Sequence, residues 1–114
     1  MKFKLIMSLV NPEITEKVID AAKNAGATGD VVIPARGSGS NTSTFFGLEI
    51  EDKTEIVLFV VEESAVNLVL NAITVDCKLC EPGNGIAIVL NIDQFAGLDK
   101  QIELIKMKKN KNPQ

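Results

Sequence analysis

Ile56-Val57-Leu58-Phe59-Val60-Val61 is an unbroken apolar run, all but Leu58 β-branched or aromatic, and no other stretch constrains the fold as strongly. Such residues favour a pleated, packed surface, so the segment from Lys53 to Val61 reads as a strand. With apolar side chains at successive positions it is expected at the centre of a sheet, buried on both faces. The rest of the chain has to supply its neighbours and its cover.

Three further strands are expected. Residues 2 to 10 carry Phe3, Leu5, Ile6, Met7, Leu9 and Val10, as a well-buried strand would. Val31 to Ile33 form a second strand, stopped by Pro34, and Ile86 to Ile92 a last one. Two helices fall between them. Asn11 can cap the first, Pro12 suits its first position, Ile14, Val18, Ala21, Ala22 and Ala25 mark one face, and Gly26 ends it. Ser64 is placed to cap the second, whose apolar surface runs through Val66, Leu68, Val69, Leu70, Ala72, Ile73 and Val75. Residues 36 to 44 read as a polar loop, and 93 to 105 show no clear pattern. The order strand, helix, strand, strand, helix, strand is the α+β, ferredoxin-like split βαβ arrangement (βαββαβ). It implies a four-stranded antiparallel sheet with both helices on one face. The other face then needs cover, which predicts subunit association.

At 114 residues the chain reads as one domain, residues 1–105, followed by a basic flexible tail, 106–114. Its 46% hydrophobic and 24% charged residues exclude a disordered chain, and a net charge of -3 argues against a nucleic-acid partner. No apolar run reaches the roughly 18 residues of a membrane span, and the first ten residues do not make a signal peptide, so a cytoplasmic protein is expected. There is no histidine. The commonest general base and metal ligand is therefore missing, and no nucleophile and base pair stands out beyond the cysteines, so an enzyme is not expected. Glu62 and Glu63 sit where a helix dipole favours acids.

Two glycine pairs carry the functional signal. Gly83-Asn84-Gly85 lies between the second helix and the last strand, and Gly37 and Gly39 follow the second strand. Each is either an ordinary turn or a cradle in which main-chain N–H groups approach a phosphate. Arg36 is either a cation for that phosphate or a solvated strand end. Cys77-Lys78-Leu79-Cys80 places two sulfurs at helical spacing of three, as two reduced thiols, a redox pair or half a metal site.

As an ordered set, the opening strand with its capped helix, the Ala25-Gly26-Ala27-Thr28-Gly29 turn, Arg36-Gly37-Ser38-Gly39 and Pro82-Gly83-Asn84-Gly85 resemble the P-II nitrogen-regulatory family and its P-II-like relatives. The resemblance runs from about Lys2 to Asn91. It implies a homotrimeric signalling protein that binds an adenine nucleotide in clefts between subunits. In it, Arg36, Gly37, Ser38 and Gly39 lie at the base of a mobile T-loop, Val60 lies near the purine, and Gly83, Asn84 and Gly85 form a B-loop around the phosphates. The loop 37–52 would carry the signal to a transporter or enzyme. A structural or metal-handling trimer resembling the CutA group is the alternative.

Departures from the family pattern sharpen the expectation. Ile86 stands where a lysine usually follows the B-loop, and Asn91-Ile92-Asp93-Gln94-Phe95 lacks the usual paired arginines. Triphosphate charge normally needs such cations, so AMP or ADP is expected over ATP, with no obligatory cofactor. The loop 37–52 is short and lacks the tyrosine that some members modify, and Asn41 replaces the glutamine associated with 2-oxoglutarate.

Overall fold

In the computed structural model, which describes residues 2–35, 43–45, 48–50, 54–81 and 84–111, the chain forms six strands and three α-helices among the described residues. The first half contains β1 (Phe3–Val10), α1 (Thr15–Asn24), β2 (Val31–Ala35), β3 (Ser43–Phe45) and β4 (Leu48–Ile50). The second contains β5 (Thr54–Glu62), α2 (Val66–Asp76), β6 (Gly85–Asn91) and α3 (Asp99–Lys111). One antiparallel sheet has the order β2-β5-β1-β6, so the Ile56–Val61 run is internal, as its composition demands. β3 and β4 pair separately as a two-stranded ribbon. The segment 37–52, expected to lack regular structure, therefore contains paired strands.

Register explains which side chains meet. Ile6 lies opposite Phe59 and Val89, and Ser8 opposite Val57 and Ala87, so these share one face. That face is the core: Ile6, Val10, Val57, Phe59 and Val61 pack with Val18 and Ala22 of α1 and with Val69 and Ile73 of α2. Each large side chain buried there contributes roughly 1.5–3 kcal/mol, so this shared layer holds both helices to the sheet. The opposite face carries Leu5, Met7, Ile56, Leu58, Val60, Ile86 and Ile88, all only half-buried. The central strand is thus covered fully on one side alone in the protomer, because both helices occupy the same side.

The helix ends show where local chemistry was legible. Asn11 has extended backbone and its Oδ1 accepts the Glu13 N–H at 2.9 Å, opening a single 3-10 turn (Pro12–Ile14) that runs into α1. At its end Gly26 takes φ +121°, with Ala27 N–H donating to Ala22 O at 2.9 Å and Gly26 N–H to Lys23 O at 3.2 Å. This is a Schellman closure, which needs a left-handed residue at the Gly26 position. α2 ends the same way, with Leu79 N–H to Thr74 O at 3.2 Å and Lys78 N–H to Val75 O at 3.4 Å, but here a lysine takes φ +53°.

Several expectations are corrected. Ser64 does not cap α2: it lies inside a 3-10 turn, Glu63–Ala65, and no side chain caps that helix start. Glu62 ends β5 and is also the N-cap of that 3-10 turn, with Glu63 in its first turn, so both acids do stand at the helical start. Pro34 does not stop β2 but lies within it, which the edge position of that strand allows, since a proline lacks only its own N–H. Residues 106–111, read as a basic tail, continue α3 to Lys111. Leu68 and Val75 of α2 stand exposed, so its buried stripe is narrower than its apolar composition.

Candidate functional site

Val60 occupies the open sheet face. Its cross-strand partner is Leu5, and Leu58, two residues earlier, lies opposite both Met7 and Val31. Leu5, Leu58 and Val60 floor a recess of about 330 Å³. One wall is the turn from α1 into β2, Thr28 to Val31, and the other is Leu98 with Gln101 of α3. The turn is pinned by the Asp30 carboxylate, 3.0 Å from the Lys23 ammonium. On the opposite side, Leu98 just ahead of α3 and Gln101, Ile102 and Ile105 within it form a half-buried stripe at helical spacing. The Gln101 Oε1 is buried and accepts no hydrogen bond among the described residues.

The second candidate element lies at the far end of the sheet. Gly85 opens β6 opposite Val10, and Val10 lies opposite Glu55, which faces Pro34. The row Pro34, Glu55, Val10, Gly85 therefore crosses the sheet from edge to edge, a span of about 14 Å at the usual strand spacing. Val60 is five residues further along β5 than Glu55, about 17 Å away. One protomer therefore does not bring Val60 and Gly85 together. It does put the end of β2, which leads into Arg36, and the start of β6 at the same end of the sheet on opposite edges. Arg36, Gly37, Ser38, Gly39 and Gly83 lie outside the described residues.

Asn84 and Gly85 have structural duties that account for their identities. The Asn84 amide donates to Lys78 O at 2.9 Å and Cys77 O at 3.2 Å, closing the carbonyl end of α2. Its backbone N–H donates to Glu81 O at 3.3 Å, and its carbonyl accepts the Asn11 N–H at 3.4 Å. Gly85 takes φ +145°, and a Cβ there would stand 2.4 Å from Leu9 O and 2.9 Å from a Val10 methyl. Only glycine lets β1 pass so close.

Cys77 and Cys80 are both free thiols. The helical spacing argument does not apply to them, because Lys78 leaves the helix between them: Cys77 is buried in the core and Cys80 is exposed. Burial pushes the Cys77 thiol pKa up, and the Asp76 charge adds to this while Lys17 opposes it. Among the described residues no three cysteine, aspartate or glutamate side chains gather as a metal site, and no helix is long and apolar enough to cross a membrane.

The recess is only partly legible in the sequence, which singles out Val60 but not Thr28, Leu98 or Gln101. The available signal is the 98, 102, 105 apolar spacing, diluted by five lysines between 100 and 111.

Comparison with known proteins agrees with this architecture. A search of curated proteins found no match. Among solved structures the chain is similar to a PII-like signalling protein from Thermus thermophilus, at 22% identity and a TM-score of 0.59, over 81% of this chain and 91% of that one. At that identity the likeness is one of fold. The family model for nitrogen regulatory protein P-II matches residues 3–99. That match runs from the first residue of β1 to the first of α3 and so takes in the whole sheet and both packed helices; the chain belongs to the P-II family.

Proposed function

We propose that this protein is a cytoplasmic P-II-like regulator, not an enzyme, that binds AMP or ADP in preference to ATP in clefts between the subunits of a homotrimer. It signals to a transporter or enzyme through residues 37–52. The observation that carries the reading is the recess at Val60: an apolar floor with a polar rim at the start of an edge strand suits a flat base held by few hydrogen bonds. From Val31 to Ala35 is about 13 Å, the reach of an extended nucleoside mono- or diphosphate. A base in the recess would thus extend its phosphates along β2 toward Arg36, Gly37, Ser38 and Gly39.

Subunit association supplies the rest. β6 forms the other edge, so Gly83, Asn84 and Gly85 of a second copy would approach those phosphates only if the edge of one subunit faced the edge of another. The half-buried face through Met7, Ile56 and Ile88 provides apolar surface for that association. Ile86, next to the B-loop, offers no charge, which favours fewer phosphates.

Thermal-shift measurements with AMP, ADP, ATP, bicarbonate and 2-oxoglutarate test this, together with light scattering for the assembly. A nucleotide at a hundred times its Kd stabilises the folded state by about 2.7 kcal/mol. For a domain of this size that is a rise of roughly 10 °C in Tm. AMP and ADP are expected to produce it, with ATP weaker. No shift from any adenylate at millimolar concentration refutes the reading.

A further inference from the structure

Thr28 also borders a second recess, which the nucleotide reading does not use. It holds about 500 Å³, within the range that a small organic ligand fills. One side is built from small residues: Gly26 and Ala27, where α1 closes, and Ala65 of the 3-10 turn ahead of α2. A Cβ on Gly26 would stand 3.8 Å from that of Ala65, so these two elements are in contact there. The other side is α3, through Leu104 and Ile105. Leu104 is 52% exposed, so the protomer leaves much of that apolar wall in water. The charges at the rim differ in their commitments. Lys23 is held by Asp30 at 3.0 Å, and Glu62 is already engaged. Lys108 forms no ion pair among the described residues. The recess therefore combines apolar walls with one uncommitted cation.

We propose that this recess is a second ligand site, which takes an aliphatic monocarboxylate: its chain lies between Ala65 and the Leu104 and Ile105 wall, and its carboxylate meets the Lys108 ammonium. Both ends of such a molecule gain. Each methylene laid against Leu104 leaves water, and the head reaches a charge that lacks a partner. A cationic amphiphile of the same length would cover the same wall but be repelled by Lys108. A polyanion suits the site less, because one ammonium is available and Glu62 at the same rim opposes further negative charge. Leu5, Leu58 and Val60 take no part in it, so the inference stands whether or not a nucleotide binds.

Titration of the full chain with decanoate and with decyltrimethylammonium, each below its micelle-forming concentration and followed by amide NMR shifts, tests the assignment. Decanoate is expected to bind more tightly by about threefold, the scale of a pair at an exposed rim, and to shift Gly26, Ala27, Ala65, Leu104 and Ile105. The net charge of -3 would by itself favour the cation, so the order of affinities separates a built site from diffuse attraction. Lys108→Glu should reverse that order, and Leu104→Ser should weaken decanoate severalfold by removing the apolar wall. No decanoate binding at millimolar concentration, equal or tighter binding of the cation by the wild type, an order unchanged in Lys108→Glu, or an affinity unchanged in Leu104→Ser overturns the proposal. Shifts confined to Leu58 and Val60 overturn it too, since they place the chain in the other recess. Both substituted positions are exposed, and melting curves of the variants show that the core is intact.

Discussion

Replacing Gly85 by alanine places a methyl group where the Leu9 carbonyl oxygen is only 2.4 Å away and a Val10 methyl 2.9 Å away. The oxygen belongs to the backbone of β1, an internal strand paired on both sides, so it cannot step aside as a flexible side chain would. The backbone at φ +145° adds its own cost. A non-glycine residue in such a region costs about 1–3 kcal/mol. Overpacking in a filled interior adds about 1–3 kcal/mol, so the sum is about 2–6 kcal/mol out of a typical total of 5–15 kcal/mol. In urea denaturation, with a slope of about 2 kcal/mol/M, the midpoint should fall by about 1–3 M. Gly29 is the control: nothing lies within 4 Å of a Cβ there, and its φ is not in the left-handed range. Gly29→Ala should move stability by no more than about 1 kcal/mol in either direction. A Gly85→Ala protein that loses less than about 1 kcal/mol with an unchanged slope refutes the reasoning, since it would mean that β1 and the start of β6 are not in register as described. Gly85 is glycine because β1 demands it, so its identity is not by itself evidence of a phosphate.

Two further outcomes follow from the end of α2. Lys78→Gly relieves a left-handed lysine, which costs about 1–2 kcal/mol, but gives back part of this as unfolded-chain entropy. A net gain of about 0.5–1 kcal/mol should appear in scanning calorimetry as a Tm higher by roughly 2–4 °C, and a lower Tm would contradict the Schellman assignment. For the thiols, Cys80 should react with a disulfide reagent at once and Cys77 only as the protein opens. Because the folded Cys77 pKa is raised above the ordinary 9.0, its contribution to stability is complete below that pH and is lost as pH climbs through the folded value. Cys77→Ala should abolish that alkaline component of the stability profile, and an unaltered profile would assign it elsewhere.

Much of the fold could be read in the residues because local preference and tertiary need agree there. The Ile56–Val61 run, the Asn11 cap and the Gly26 stop each state in sequence what the backbone does. Legibility fails where a partner decides. β3 and β4 exist as a pair, and neither three-residue strand has enough side chains to announce itself alone. Pro34 looks like a stop until β5 is known to cover only one side of its strand. Lys78 carries no mark of the left-handed conformation that the helix closure imposes on it, and its effect is to separate two cysteines that spacing alone would place together. In the candidate site, Val60 is marked by resemblance, while Gln101 joins it only through the placement of α3.

Pro34 has one more consequence. The rim of a sheet can recruit any passing strand into uncontrolled growth, and here that rim bears the exposed Val31 and Ile33. Pro34, the fourth of the five residues of β2, has no amide hydrogen to give to any ladder. A single imino acid thereby withholds one donor from backbone pairing at this border while leaving its apolar side chains in place.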